Sequence, residues 1–263
     1  MLLQNTWEQY KANFKTALVF ALLLVFVPVF AAFENMYISS GSIFIEYSLG
    51  LANPLLLLAA AGLTALFLLF YSFFISIIVF SVRKNLSKLK LHFYLHEMIQ
   101  KFTLRIFVFF LLYCLLLFLL TLALIAAGVH ILVASLLLLI VSFLLLFVPQ
   151  AVVIDEEGLR HALLTNFEFL LKHPRSFATV TVIGMVLLAL LQLLEFGLAQ
   201  LTLFAPYVSL FLGLVVILPF LEIMKTYLYM MRFDLIKEHE IARRKKPLVA
   251  KPEPESLAAA PKP

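Results

Sequence analysis

Residues 104–127 read LRIFVFFLLYCLLLFLLTLALIAA, and from Ile106 to Ala127 they carry no charged side chain. At about 1.5 Å of rise per residue, a helix of that length crosses the roughly 30 Å hydrocarbon core of a bilayer. Five other stretches share this character, at 16–33, 54–82, 130–154, 177–203 and 206–231. The run at 54–82 is longer than a bilayer is thick, so it is expected to tilt or to emerge. All six runs are continuous, without the alternation of lipid-facing and lumen-facing residues that marks a membrane β-barrel. The sequence therefore predicts an all-α polytopic membrane bundle of six transmembrane helices occupying residues 1–233.

Composition points the same way. Of 263 residues, 64% are hydrophobic and only 13% charged, with a mean hydropathy of +1.07. A soluble domain carries nearer half and a quarter, and this chain has too little polar surface to coat a globule of its size. The net charge of +5 would suggest nucleic acid in a soluble protein. Here the cations flank apolar runs, so they speak of orientation and no nucleic-acid partner is expected.

Lys11 and Lys15 precede the first run, Arg83 through Arg105 follow the second, and Arg160, Lys172 and Arg175 follow the fourth. All other Lys and Arg lie from Lys225 onward, while the opposite side offers only Glu34, Glu46 and Glu195. By the positive-inside rule both termini are expected in the cytoplasm. The run at 16–33 is longer than a signal-peptide core and is expected to be retained. The lone Cys114 sits within an apolar run, where a thiol packs as an inert side chain.

Each pair of membrane runs is preceded by a short amphipathic stretch. Leu3, Trp7, Tyr10 and Phe14 form the first stripe, Leu91, Leu95, Met98 and Phe102 the second, and Leu159, Leu163, Phe167 and Leu170 the third. Apolar residues at i, i+4, i+7 or i+8, and i+11 share one helix face, which suits three helices lying at the cytoplasmic interface. Two origins fit the pattern: three pseudo-repeats of interfacial helix plus hairpin, or the ordinary amphipathicity of cytoplasmic loops. Residues 234–263 change character, with Arg243, Arg244, Lys245 and Lys246 followed by a run rich in proline and charge. A disordered cytoplasmic tail is expected there. Its four cations serve as a stop-transfer cluster or as candidate contacts for lipid headgroups.

Few residues carry chemistry. Glu222 and Lys225, three apart and just after Pro219, are the most deeply embedded opposite charges. Ionisable groups in a bilayer are costly, which makes them functional candidates. A structural ion pair beside a proline kink is the other reading. Gln192 and Glu195 are also i, i+3 neighbours and complete the candidate polar pathway, Gln192, Glu195, Glu222 and Lys225. His92 and His96 share a helix face, and His161 and His173 lie on another loop. The first pair lacks the H-E-x-x-H pattern and a nearby third ligand, so no metal is assigned. The acids Asp155, Glu156 and Glu157 are expected to complement the N-terminal dipole of the third interfacial helix. No phosphate-binding loop, dinucleotide fingerprint or nucleophile elbow occurs. No catalytic residue or cofactor is expected.

The segment Val148-Pro149-Gln150-Ala151-Val152-Val153-Ile154-Asp155-Glu156-Glu157-Gly158-Leu159-Arg160-His161-Ala162-Leu163 resembles a stretch found in a loose superfamily of prokaryotic six-helix membrane proteins. That superfamily includes the membrane domain of some glycerophosphodiester phosphodiesterases. In it a helix ends in proline and small apolar residues, and an acid-glycine step leads into an interfacial helix. Members often have Ser where Asn166 stands here. The resemblance implies a six-helix fold in a prokaryotic inner membrane; this chain holds no phosphodiesterase domain, so it implies no such activity.

The expected function is that of a non-catalytic scaffold or accessory subunit, with membrane lipids or a membrane protein complex as partners. The alternative is a transporter or channel component for a small solute or lipid. A third reading, an intramembrane lipid-modifying enzyme, rests on the four histidines alone.

Overall fold

The computed structural model describes residues 2–26, 36–39, 42–45, 54–86, 98–200 and 205–231. Helix α1 (Leu2–Ala12) is followed by the short α2 (Phe14–Ala17), which runs on as a 3-10 helix, Leu18–Phe26. The long α3 spans Pro54–Leu86, and a π-helical turn, Ile99–Thr103, opens α4 (Leu104–Ala126). Helices α5 (Ile131–Leu144), α6 (Val148–Ile154), α7 (Leu159–Lys172) and α8 (Pro174–Ala199) come next. The described residues close with α9 (Ala205–Leu212), a second π turn (Gly213–Ile217) and α10 (Leu218–Met231). One antiparallel hairpin, β1 (Met36–Ser39) with β2 (Ser42–Ile45), pairs Met36 with Ile45 and Ser39 with Ser42.

Among the described residues, five helical segments are long and apolar enough to cross a membrane: Ala61–Leu86, Ile99–Ala126, Leu132–Ile154, Pro174–Ala199 and Tyr207–Met231. They match five of the six runs read from the sequence. The remaining run, 16–33, is described only to Phe26, as the shorter apolar helix Phe14–Phe26. Drawn out by its 3-10 portion, that helix spans about 24 Å, against about 20 Å for a pure α-helix of equal length. The rest of the run lies outside the described residues, as do 87–97 and the tail from 232.

Two spans form the axis and two the periphery. The most apolar windows of the second and last runs are each 56% buried, whereas those of Ile99–Ala126 and Pro174–Ala199 are each 17% buried. On α3 the buried residues Phe67, Leu68, Tyr71, Phe74, Ile75, Ile78, Val79 and Val82 follow the helical repeat, while Leu66, Leu69 and Phe70 face outward. Tyr71 meets Phe110 of α4 with ring centroids 5.2 Å apart. Nearly every residue of α10 is buried. The peripheral α4 instead exposes Val108, Leu111, Leu112, Leu115, Leu116 and Leu119. An outward face of that kind is stable only in an apolar solvent. The chain is a multi-pass helical membrane protein.

The turn between α4 and α5 shows how sequence sets a helix end. Gly128 adopts φ 68°, its N–H donates to Ile125 O at 3.0 Å, and the Val129 N–H donates to Leu124 O at 3.0 Å. This crossed pair is a Schellman closure, which needs a left-handed residue at that point. His130 then starts α5, its Nδ1 accepting from the Leu132 N–H at 3.3 Å. A Cβ on Gly128 would meet nothing within 4 Å, so the cost of substitution is conformational alone. Gly128→Ala is expected to destabilise the protein by about 1–2 kcal/mol, read as a lowered thermal midpoint in detergent with an unchanged helical spectrum.

Candidate polar site in the helix bundle

The fourth apolar run does not fold as one helix. Pro149 has no N–H to offer the carbonyl four residues back, so α5 ends at Leu144 and α6 begins afresh at Val148. Three irregular residues, Leu145 to Phe147, lie between, inside the apolar span Leu132–Ile154. Backbone groups released there must find partners within the protein, since hydrocarbon supplies none.

Side chains from two distant helices provide them. Asn166 of α7 accepts from the Phe147 N–H at 3.1 Å and donates through Nδ2 to Leu144 O at 2.7 Å. Lys225 of α10 points its Nζ at Leu146 O, 3.5 Å away. The same ammonium stands 2.6 Å from Glu222 Oε1, and Glu222 Oε2 accepts from Gln150 Nε2 at 2.8 Å. Gln150 and Glu222 are fully buried and Lys225 is 1% exposed, so the arrangement lies wholly inside the protein. Thr226 turns its hydroxyl back onto Glu222 O at 2.7 Å. Nearby, Tyr113 of α4 donates to Ser142 Oγ of α5 at 2.7 Å.

The last helix carries a second interruption. Pro219 withholds a donor from Val215 O, within the π turn that precedes α10. Tyr10 of α1 donates to that carbonyl over 3.5 Å. Burial pushes the Tyr10 phenol above its usual range, so it keeps its proton and remains a donor. Asn5 also reaches α10, donating to Tyr227 Oη at 2.9 Å. Asn13 plays the matching part at α3, its Oδ1 accepting from Ser81 Oγ at 2.7 Å and Asn85 Nδ2 at 2.8 Å.

At the end of the bundle bearing Arg83, Lys101 and Arg105, the acids after α6 act as a tie-point. Asp155 accepts from the Tyr229 hydroxyl. Glu156 takes Arg83 Nη2 at 3.0 Å on one oxygen and Lys101 Nζ on the other. Arg83 also donates to Val153 O at 2.8 Å, and Arg105 donates to Glu157 O at 2.9 Å. Glu156 is held at φ 58°, a conformation that L residues adopt at a cost. The expectation that these acids serve the dipole of α7 is thus corrected for Asp155 and Glu156. That helix starts at Leu159 behind Gly158 with no acid in its first turn: Asp155 and Glu156 are engaged by α10, α3 and the turn before α4, and Glu157 alone turns to α7, accepting from Thr165 Oγ1 at 3.2 Å. Partial burial pushes the Glu156 carboxyl up, yet the Lys101 hydrogen bond and the Arg83 charge outweigh it. The group rests below the ordinary carboxylate range.

Of the four residues read as a polar pathway, only Glu222 and Lys225 are joined to each other. Glu195 is half-buried and accepts from Ser209 Oγ of α9, while Gln192 is exposed on the side of α8. Arg243, Arg244, Lys245, Lys246, His92 and His96 lie outside the described residues. His161 is exposed, and no group of three His, Cys, Asp or Glu positioned to hold a metal occurs among the described residues. Gln150 and Asn166 are not among the site residues that the sequence singles out. The available signal was Pro149 inside an apolar run, which announces freed carbonyls and hence a polar side chain to serve them. Comparison with family models, curated proteins and solved structures returned no match.

Removing one member of a buried pair leaves the other charge stranded, whereas replacing both need not destabilise. Glu222→Leu and Lys225→Met are each expected to cost about 3–5 kcal/mol, with the double variant recovering most of that loss, in thermal melts of detergent-purified protein. Glu156 gives a pH dependence. Its folded value lies below the unfolded one of about 4.3, so its ties contribute fully above that pH and are lost as pH falls through the folded value. Acid titrations of stability are expected to fall more steeply below about pH 4.3 for the wild type than for Glu156→Gln.

Proposed function

We propose that the chain is a six-span protein of the cytoplasmic membrane of a prokaryote, with both termini in the cytoplasm, acting as a non-catalytic scaffold or accessory subunit. The six-helix superfamily suggested by residues 148–163 fits this reading. One observation carries it: the embedded charges are consumed by the fold. Glu222, Lys225 and Gln150 hold one another and the broken span. The crevice beside them, walled by Phe109, Phe110, Tyr113, Leu145, Leu146, Pro149 and Lys225, is too narrow for a water molecule. Groups that bind a passing solute need an approach, and these have protein on every side.

A second reading, a transporter component, draws on the interruption at Leu145 to Phe147, since discontinuous helices with ions at their breaks build many transport sites. The two part experimentally. Tagged protein purified from its native membrane in mild detergent is expected to retain a protein partner at fixed stoichiometry through size exclusion, identified by mass spectrometry. Purification alone or with lipid only would overturn the subunit reading. Solute flux in proteoliposomes that is abolished in the Glu222/Lys225 double variant, despite its folding, would establish transport.

A further inference from the structure

We propose that the outward faces of α1 and α7 form one type of surface, a binding surface for the anionic headgroups of the bilayer that holds the chain. This rests on the membrane reading above and adds which lipid is preferred and which residues meet it.

The argument starts from how these helices dock. At about 100° per residue, Ala162, Asn166, Phe169 and Leu170 fall on the buried side of α7. Arg160, Leu164, Phe167 and Leu171 fall on the opposite side. Leu171 is 84% exposed and Leu164 59%. The stripe read from the sequence, Leu159, Leu163, Phe167 and Leu170, therefore straddles the edge of the contact, and a second apolar stripe looks away from the bundle.

Helix α1 offers a related surface on its flank. Its buried side holds Thr6 and Tyr10, continued by Asn13, while Leu3, Trp7 and Phe14 stand 47–52% exposed on the adjoining flank, where Trp7 stacks on Tyr10 and meets Phe220 of α10. Both helices thus leave large apolar side chains exposed outside their contact with the bundle.

Position and charge name the occupant. Only His173 separates the end of α7 from the membrane span Pro174–Ala199, and only Asn13 separates α1 from the apolar helix Phe14–Phe26. The stripes therefore sit at the level where hydrocarbon gives way to headgroups. Cations flank them: Arg160 and Arg175 beside the α7 stripe, and Lys11 and Lys15, with the single acid Glu8, beside the α1 stripe. Lys11 lies over the Trp7 ring at 5.5 Å, its charge at the edge of the apolar face. Glu168, the acid on that side of α7, is engaged by Lys172. An apolar stripe bordered by cations at the membrane boundary is complementary to an anionic lipid surface.

Trp7 is the sole tryptophan of the chain, so its fluorescence reports this surface without labelling. Full-length protein is reconstituted in vesicles of phosphatidylcholine and phosphatidylglycerol at equal mole fraction, with one lipid or the other brominated on its acyl chains. Brominated phosphatidylglycerol is expected to quench Trp7 at least twofold more than brominated phosphatidylcholine, and Lys11→Gln/Lys15→Gln is expected to erase the difference. A nitroxide on Leu171→Cys in a Cys114→Ala background is expected to be more accessible to oxygen than to a water-soluble nickel chelate. Equal quenching by both lipids, no quenching, or a nickel-accessible nitroxide would overturn the proposal. Alkaline carbonate extraction separates the two levels of failure. Protein that stays in the membrane pellet with an unquenched Trp7 sinks the lipid surface alone, and protein released to the supernatant sinks the membrane reading with it.

Discussion

The backbone of residues 144–147 sets the terms for the rest of the bundle. A helix that crosses hydrocarbon satisfies its own amides, and one that breaks there leaves them to whatever the protein can bring. Here the protein brings an asparagine from α7 and a lysine from α10. Once Asn166 must sit between Leu144 O and Phe147 N, the position of α7 along the bundle is determined. Once Lys225 must face Leu146 O, so is the rotation of α10. The lysine then needs a counter-charge, which Glu222 supplies one turn away, and Gln150 completes the carboxylate. A single proline, Pro149, stands at the head of this chain of requirements.

The same logic recurs at lower cost. Pro219 frees Val215 O and Tyr10 answers it, while Asn13 collects Ser81 and Asn85. Because lipid is as apolar as leucine, burial of hydrocarbon gives little reason for one helix to prefer another in a membrane. Directional contacts of this kind distinguish one rotation of a helix from the next. Buried ion pairs add little net stability in general, so Glu222 and Lys225 are better understood as fixing register than as strengthening the fold.

How much of this was legible follows from what an apolar residue signifies in each solvent. The runs around 104–127 and 177–203 announced themselves by length, since nothing but a bilayer needs so many apolar residues in succession. Which side of each run faces protein could not be read, because Leu111 against lipid and Phe110 against Tyr71 are equally apolar. On α7, likewise, periodicity located a stripe but could not say that Phe169 would turn inward and Phe167 outward. Glu222 and Lys225 stood out as charges in an apolar run and proved to be paired. Gln150 and Asn166 did not stand out, for a neutral amide near the end of an apolar stretch is ordinary until its carbonyl partners are known. The acids at 155–157 were visible, but Tyr229, Arg83 and Lys101, the partners of Asp155 and Glu156, come from three other segments and leave no local trace.

The span of these contacts has a consequence for biosynthesis. Asn5 and Tyr10 are bound to residues 222 and 205 positions later in the chain, and Leu146 O waits 79 positions for Lys225. Gln150 and Asp155 depend on the same helix, α10. A ribosome delivering this protein to the membrane therefore releases a succession of helices whose polar groups are still open, and the segment that closes them emerges after all of them. The early spans are inserted on hydrophobicity alone, and commitment to one arrangement comes only when α10 arrives.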